Sequence, residues 1–80
     1  MITVYTRPSC VQCNATKRKL TQEGLDWVAV DVEQDEAAAE RLREAGYMQA
    51  PVVFTESGES WSGFRPDLIA QETDRQRGVQ

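Results

Sequence analysis

Apolar and polar positions alternate from the second residue. Ile2-Thr3-Val4-Tyr5-Thr6 is rich in β-branched and aromatic side chains and predicts a first strand, central in its sheet. Pro8 blocks its continuation, and from Val11 to Glu23 the period changes to that of a helix, with Cys13, Thr16 and Leu20 on one stripe. Gly24 supplies the C-terminal stop. Asp26 to Val32 predicts a second strand, and a connection of this length permits a right-handed parallel crossover. Asp35 is placed to cap a second helix, Glu36 suits its positive end, Ala38, Leu42 and Ala45 form its apolar stripe, and Gly46 ends it. Pro51-Val52-Val53-Phe54 predicts a third strand, Glu56-Ser57-Gly58 a turn, and Ser60-Trp61 a short returning strand that Gly63 breaks. Pro66 suits the first position of a last helix carrying Leu68, Ile69 and Glu72, while the polar tail from Asp74 to Gln80 is expected to fray. The order is βαβαββα: an α/β fold with a four-stranded mixed sheet flanked by three helices.

Length keeps this to a single domain over residues 1–80, because a second could not bury a core of its own. The net charge of −4 argues against a nucleic-acid partner, and the basic run Lys17-Arg18-Lys19 falls on an expected solvated helix face. No stretch approaches the ~20 apolar residues that span a membrane. Met1 to Thr6 leads directly into a strand, with no signal-peptide pattern, so a cytoplasmic protein is expected.

That compartment changes the meaning of the two cysteines. Thiols are kept reduced there and stable structural disulfides are rare, so Cys10 and Cys13 are expected to be reactive or metal-binding. Histidine is absent, which excludes Cys-His and Ser-His catalysis and any His-ligated zinc. Two cysteines complete a tetrahedral metal site only with outside ligands or a second subunit. Cys10-Val11-Gln12-Cys13 follows a strand and opens a helix, where unpaired N–H groups and the macrodipole favour a thiolate. The Cys10 thiol is therefore expected to ionise below the range of a free cysteine and to act as nucleophile. Cys13, one turn on and more buried, would then resolve the mixed disulfide.

Ala50-Pro51 is the second informative feature. A proline opening a buried strand removes a ladder donor, and a cis peptide that frees a backbone edge for an incoming peptide is one explanation. With these features the chain resembles the thioredoxin superfamily. More narrowly it resembles the NrdH-redoxins, through Tyr5-Thr6-Arg7, Cys10-Val11-Gln12-Cys13, Ala15-Thr16-Lys17, Gln49-Ala50-Pro51-Val52-Val53 and Trp61-Ser62-Gly63-Phe64-Arg65-Pro66-Asp67. The resemblance implies a thioredoxin fold, Cys10 as nucleophile, Cys13 as resolving thiol, a redox-active Cys10–Cys13 disulfide and a cis Pro51. It also implies a monomer without cofactor or metal. Its electron acceptor would be the large subunit of class Ib ribonucleotide reductase, and its reductant NADPH-dependent thioredoxin reductase.

Partner docking is expected around the cysteines, from Val11, Gln12, Gln49, Trp61, Ser62, Gly63, Phe64 and Arg65. Trp61 is equally readable as a core ring, Arg65 as a partner of Asp67, and Arg7 as either an aid to the thiolate or a solvated side chain. Thr55-Glu56 is more polar than the third strand of the family leads one to expect. Two alternatives stay beside this reading. A glutathione-dependent glutaredoxin usually carries Gly-Gly and acidic residues where this chain has Gly63-Phe64-Arg65-Pro66-Asp67. A metal or iron–sulfur module would pair the CxxC of two chains.

Overall fold

The computed structural model describes residues 1–78. Its elements are β1 (Ile2–Thr6), α1 (Val11–Gln22), β2 (Trp27–Asp31), α2 (Glu36–Glu44), β3 (Val52–Phe54), β4 (Ser60–Ser62) and α3 (Pro66–Arg77). The sheet order is β2-β1-β3-β4, with β1 parallel to β2 and antiparallel to β3, and β3 antiparallel to β4. This is the thioredoxin-like arrangement, with the first strand central as its composition predicts. Among the described residues no helix is long and apolar enough to cross a membrane.

The two-residue period of the strands sorts the core into two layers. Ile2, Val4, Val53 and Trp61 face Leu20, Leu25 and Ile69, so α1 and α3 cover one side. The register lines up Val4, Val53 and Trp61 across three strands. Tyr5 and Val52 point the other way, against Ala38 and Leu42 of α2, with Tyr47 and Phe54 packed around them.

The ends of α1 and α2 follow one rule. At α1, the Gly24 N–H bonds the Thr21 carbonyl and the Leu25 N–H bonds that of Leu20, while Gly24 takes a left-handed φ of 73°. At α2, Gly46 N–H bonds Arg43 and Tyr47 N–H bonds Leu42. In this termination the apolar contact lies between the third residue before the cap and the second after it. That corrects the predicted stripe of α2: Ala45 is the C-cap and exposed, and Tyr47 packs in its stead. Asp35 caps α2 as expected, accepting the Ala38 N–H at 3.0 Å.

Several boundaries shift. β2 is one residue shorter at each end than predicted, because its partner β1 has only five residues to offer. β3 begins at Val52, leaving Pro51 just outside the ladder. The helix α3 does not fray at Asp74 but continues to Arg77, closed by Gly78 at a φ of 75°. Buried Glu72 and Thr73 hold that last stretch: Glu72 accepts from Arg75 at 2.7 Å and Gln76 at 3.1 Å. Residues 79 and 80 of the predicted tail lie outside the described residues.

Candidate active site

The topology brings three segments to one end of the sheet. Tyr5 of β1 pairs with Val52 of β3, and Val52 with Ser62 of β4. The chain leaving β1 toward the cysteines, the chain entering β3 at Pro51 and the chain leaving β4 at Gly63 therefore meet there. Ser9, at a φ of 57°, is the one non-glycine residue among those described with a left-handed backbone. It redirects the chain from β1 into α1.

Cys10 is the N-cap of α1, and its sulfur accepts the Cys13 N–H at 3.1 Å. A sulfur thus takes the place that a serine or aspartate oxygen usually occupies at a helix start. Cys10 and Cys13 form a disulfide across a Cα separation of 5.2 Å. The two are not equivalent: Cys10 is half-buried and Cys13 has no exposed surface. One turn further, the buried Thr16 hydroxyl donates to the Gln12 carbonyl at 2.8 Å.

The Ala50–Pro51 peptide is cis, and Pro51 is fully buried. Its carbonyl accepts the Gly63 N–H at 2.8 Å, which ties the start of β3 to the end of β4. The next N–H, that of Phe64, donates to Gln12 Oε1 at 3.3 Å. Gln12 thus faces the β4–α3 loop, a contact that its expected role in docking did not anticipate.

The apolar surface differs from the sequence expectation in one respect. Trp61 is 7% exposed and belongs to the core layer under α1 and α3. Its inward position on β4 turns the ring onto Val53, so it is not an exposed docking ring. Its Nε1 is buried and has no hydrogen-bond partner among the described residues. Phe64 is exposed, and so are Val11 and Met48, which are both more than four-fifths exposed. Ser62 and Gln49 are exposed, whereas Gly63 and Ala50 are half-buried. Met48 was not among the sequence candidates, and a long apolar residue directly before Gln49-Ala50-Pro51 was the signal available. It lines a concavity of about 300 Å³ together with Arg7, Leu42, Arg43, Gln49 and Ala50.

Two cations near the site are already paired. Arg65 meets Asp67 through two bonds, Nε–Oδ1 at 3.2 Å and Nη2–Oδ2 at 2.9 Å. The hydrogen bond and the charge of Asp67 raise the Arg65 guanidinium above its ordinary range, and the Arg65 hydrogen bond holds the Asp67 carboxyl below its own. Arg7 faces Glu33, Nε to Oε2 at 3.8 Å, with both side chains about half exposed. Among the described residues no group of three or more His, Cys, Asp or Glu is arranged to hold a metal.

Comparison with known proteins matches a family model described as Glutaredoxin to residues 2–60, a span that includes Cys10, Cys13 and Pro51. The glutaredoxin-like protein NrdH of Escherichia coli K12 is 52% identical over 69 residues, covering 85% of this chain and 83% of the relative. That of Lactococcus lactis subsp. cremoris is 31% identical over 71 residues, covering 89% and 97%. The solved NrdH-redoxin of E. coli, described as glutaredoxin-like with a thioredoxin-like activity profile, superposes at a TM-score of 0.83. It shares 50% identity and covers 88% of this chain and 91% of its own.

Proposed function

Because this chain belongs to the glutaredoxin family, and within it to the NrdH redoxins, we propose that it is a cytoplasmic dithiol electron donor to the large subunit of class Ib ribonucleotide reductase. In this reading it acts as a monomer that NADPH-dependent thioredoxin reductase regenerates. Thiol–disulfide exchange itself follows from the family and the Cys10–Cys13 pair.

The observation that carries the mechanism is the asymmetry of that pair. Cys10, only partly buried, sits at a helix start with its sulfur accepting a backbone N–H, whereas Cys13 is fully buried. In the reduced protein that N–H and the helix end favour the Cys10 thiolate. The thiolate attacks one sulfur of the partner's disulfide, and the other leaves as a thiolate and takes a proton. Cys13 gives up its proton and attacks the Cys10 sulfur, and the partner sulfur bonded to Cys10 leaves as a thiolate. Two electrons pass to the partner and the internal disulfide remains. The cis Ala50–Pro51 segment is the backbone edge against which the partner's chain pairs.

Thioredoxin reductase is favoured over glutathione by the loop that opens α3. Exposed Phe64 and the Arg65–Asp67 pair stand where glutathione-dependent relatives usually carry Gly-Gly and free acidic groups. The E. coli neighbour's thioredoxin-like activity profile points the same way. Oxidised protein mixed with NADPH and thioredoxin reductase is expected to consume NADPH rapidly, and with glutathione and glutathione reductase slowly. Efficient turnover by glutathione would overturn this choice. Cys10→Ser is expected to abolish reduction of the ribonucleotide reductase disulfide. Cys13→Ser is expected to trap a mixed disulfide with that subunit, seen as an adduct by mass spectrometry.

A further inference from the structure

Gln12 lies between the two cysteines, and both its main chain and its side chain are engaged. Its carbonyl accepts the Thr16 hydroxyl, and its Oε1 accepts the Phe64 N–H across 52 residues of sequence. The preceding N–H, on Gly63, is held by Pro51. Gly63 has a φ of +80°, and a Cβ built there would stand 3.4 Å from Gln12 Oε1. Two successive N–H groups of the β4–α3 loop are therefore pinned, one to the Pro51 segment and one to the CxxC turn. The loop carries Phe64, which is 37% exposed.

We propose that Gln12 is a specificity-determining positioning residue, which holds Phe64 in a fixed place relative to the Cys10 sulfur. A protein seated on the Phe64 ring then presents its reacting sulfur to the Cys10 sulfur in one orientation. Gln12 is suited to this because its backbone is fixed by the same helical turn that carries both cysteines. An amide oxygen accepts the Phe64 N–H without adding a charge beside a thiolate. A small disulfide that does not reach Phe64 would not sense the tether. The inference rests on the reading above, in which a protein docks beside the disulfide.

The test compares the wild type, Q12A, Q12E and F64A. A neutral hydrogen bond of this kind corresponds to a change of about 3- to 10-fold. Amide exchange at Phe64, read by NMR on the oxidised protein, is expected to quicken by that factor in Q12A. It should return most of the way in Q12E, which keeps an acceptor oxygen at the same reach. With thioredoxin reductase and NADPH, the KM for the redoxin is expected to rise about 3- to 10-fold in Q12A, with little change in kcat. Unchanged exchange at Phe64 in Q12A overturns the tether. A fall in kcat at constant KM places Gln12 in the chemistry and overturns the positioning role. An unmoved KM in Q12A beside a raised one in F64A overturns the role of Gln12 alone. An unmoved KM in F64A overturns the docking reading, and the specificity role with it.

Discussion

A side chain at position 63 would meet two constraints at once, a left-handed φ of +80° and the Gln12 oxygen 3.4 Å from where its Cβ would stand. The contact is ordinary in length, so the backbone decides. Left-handed conformations cost a residue with a Cβ about 1–2 kcal/mol, and Gly63→Ala is expected to lower stability by that amount in a urea titration. Two residues on, Arg65 and Asp67 act on each other through two hydrogen bonds in solvent. The Asp67 carboxyl is held below its ordinary range, first by the Arg65 hydrogen bond. A depressed carboxylate contributes stability above its unfolded-state pKa and loses it as pH falls through the folded value. Arg65→Met is therefore expected to move the Asp67 titration, followed by carbon NMR, back up toward the ordinary range. The variant should lose the small contribution of the pair at neutral pH, where Asp67 is ionised, and its stability should then fall less on the acid side.

At the level of elements, most of the chain announces itself through its terminators. Gly24, Asp35, Gly46 and Pro66 each mark a helix end in the sequence, and each does that job in the structure through a specific bond or backbone angle. Where the sequence reading failed, the determinant lay far along the chain. The end of α3 looks like a frayed tail because Asp74-Arg75-Gln76-Arg77 is wholly polar. What orders it is Glu72, buried to 2% exposure beneath Arg75, with Ser57 and Glu59 from the β3–β4 hairpin joining the same cluster. Gly78 was the local signal, as a left-handed C-cap after two arginines of the last turn. Arg75→Ala leaves the buried Glu72 with Gln76 and Ser57 as partners and is expected to cost about 1–2 kcal/mol by thermal or chemical denaturation. Replacing Glu72 by Leu in the same background is expected to recover part of that loss, since the buried carboxylate that has lost its cation is then gone.

In the whole molecule the site is legible in pieces and assembled by topology. The cysteines, Pro51 and the Trp61–Asp67 run were each visible in the sequence. That they share one sheet end follows from the antiparallel pairing of β1, β3 and β4. Trp61 was ambiguous because a three-residue strand carries too few positions to establish which way its middle side chain points. The position of Met48 directly before Gln49-Ala50-Pro51 marks it as close to the site, but its exposure depends on how the α2–β3 connection crosses the sheet end. The resulting surface places three exposed apolar side chains, Val11, Met48 and Phe64, on the segments that converge beside the partly buried Cys10. Each comes from a different segment, so a partner covering all three would contact the CxxC turn, the Pro51 segment and the α3 loop together. Val11→Ser and Met48→Ser remove only exposed apolar surface and are expected to change stability by no more than about 0.5 kcal/mol. Burying a side chain of this size against a partner is worth about 1.5 kcal/mol at the lower end, so each change is expected to raise the KM for a protein disulfide by roughly 10-fold. Reduction of a small aromatic disulfide, which covers none of these side chains, should change far less. Equal losses with the protein and the small disulfide would mean that the substitutions act on the Cys10 thiolate, and that the three side chains do not form one docking surface.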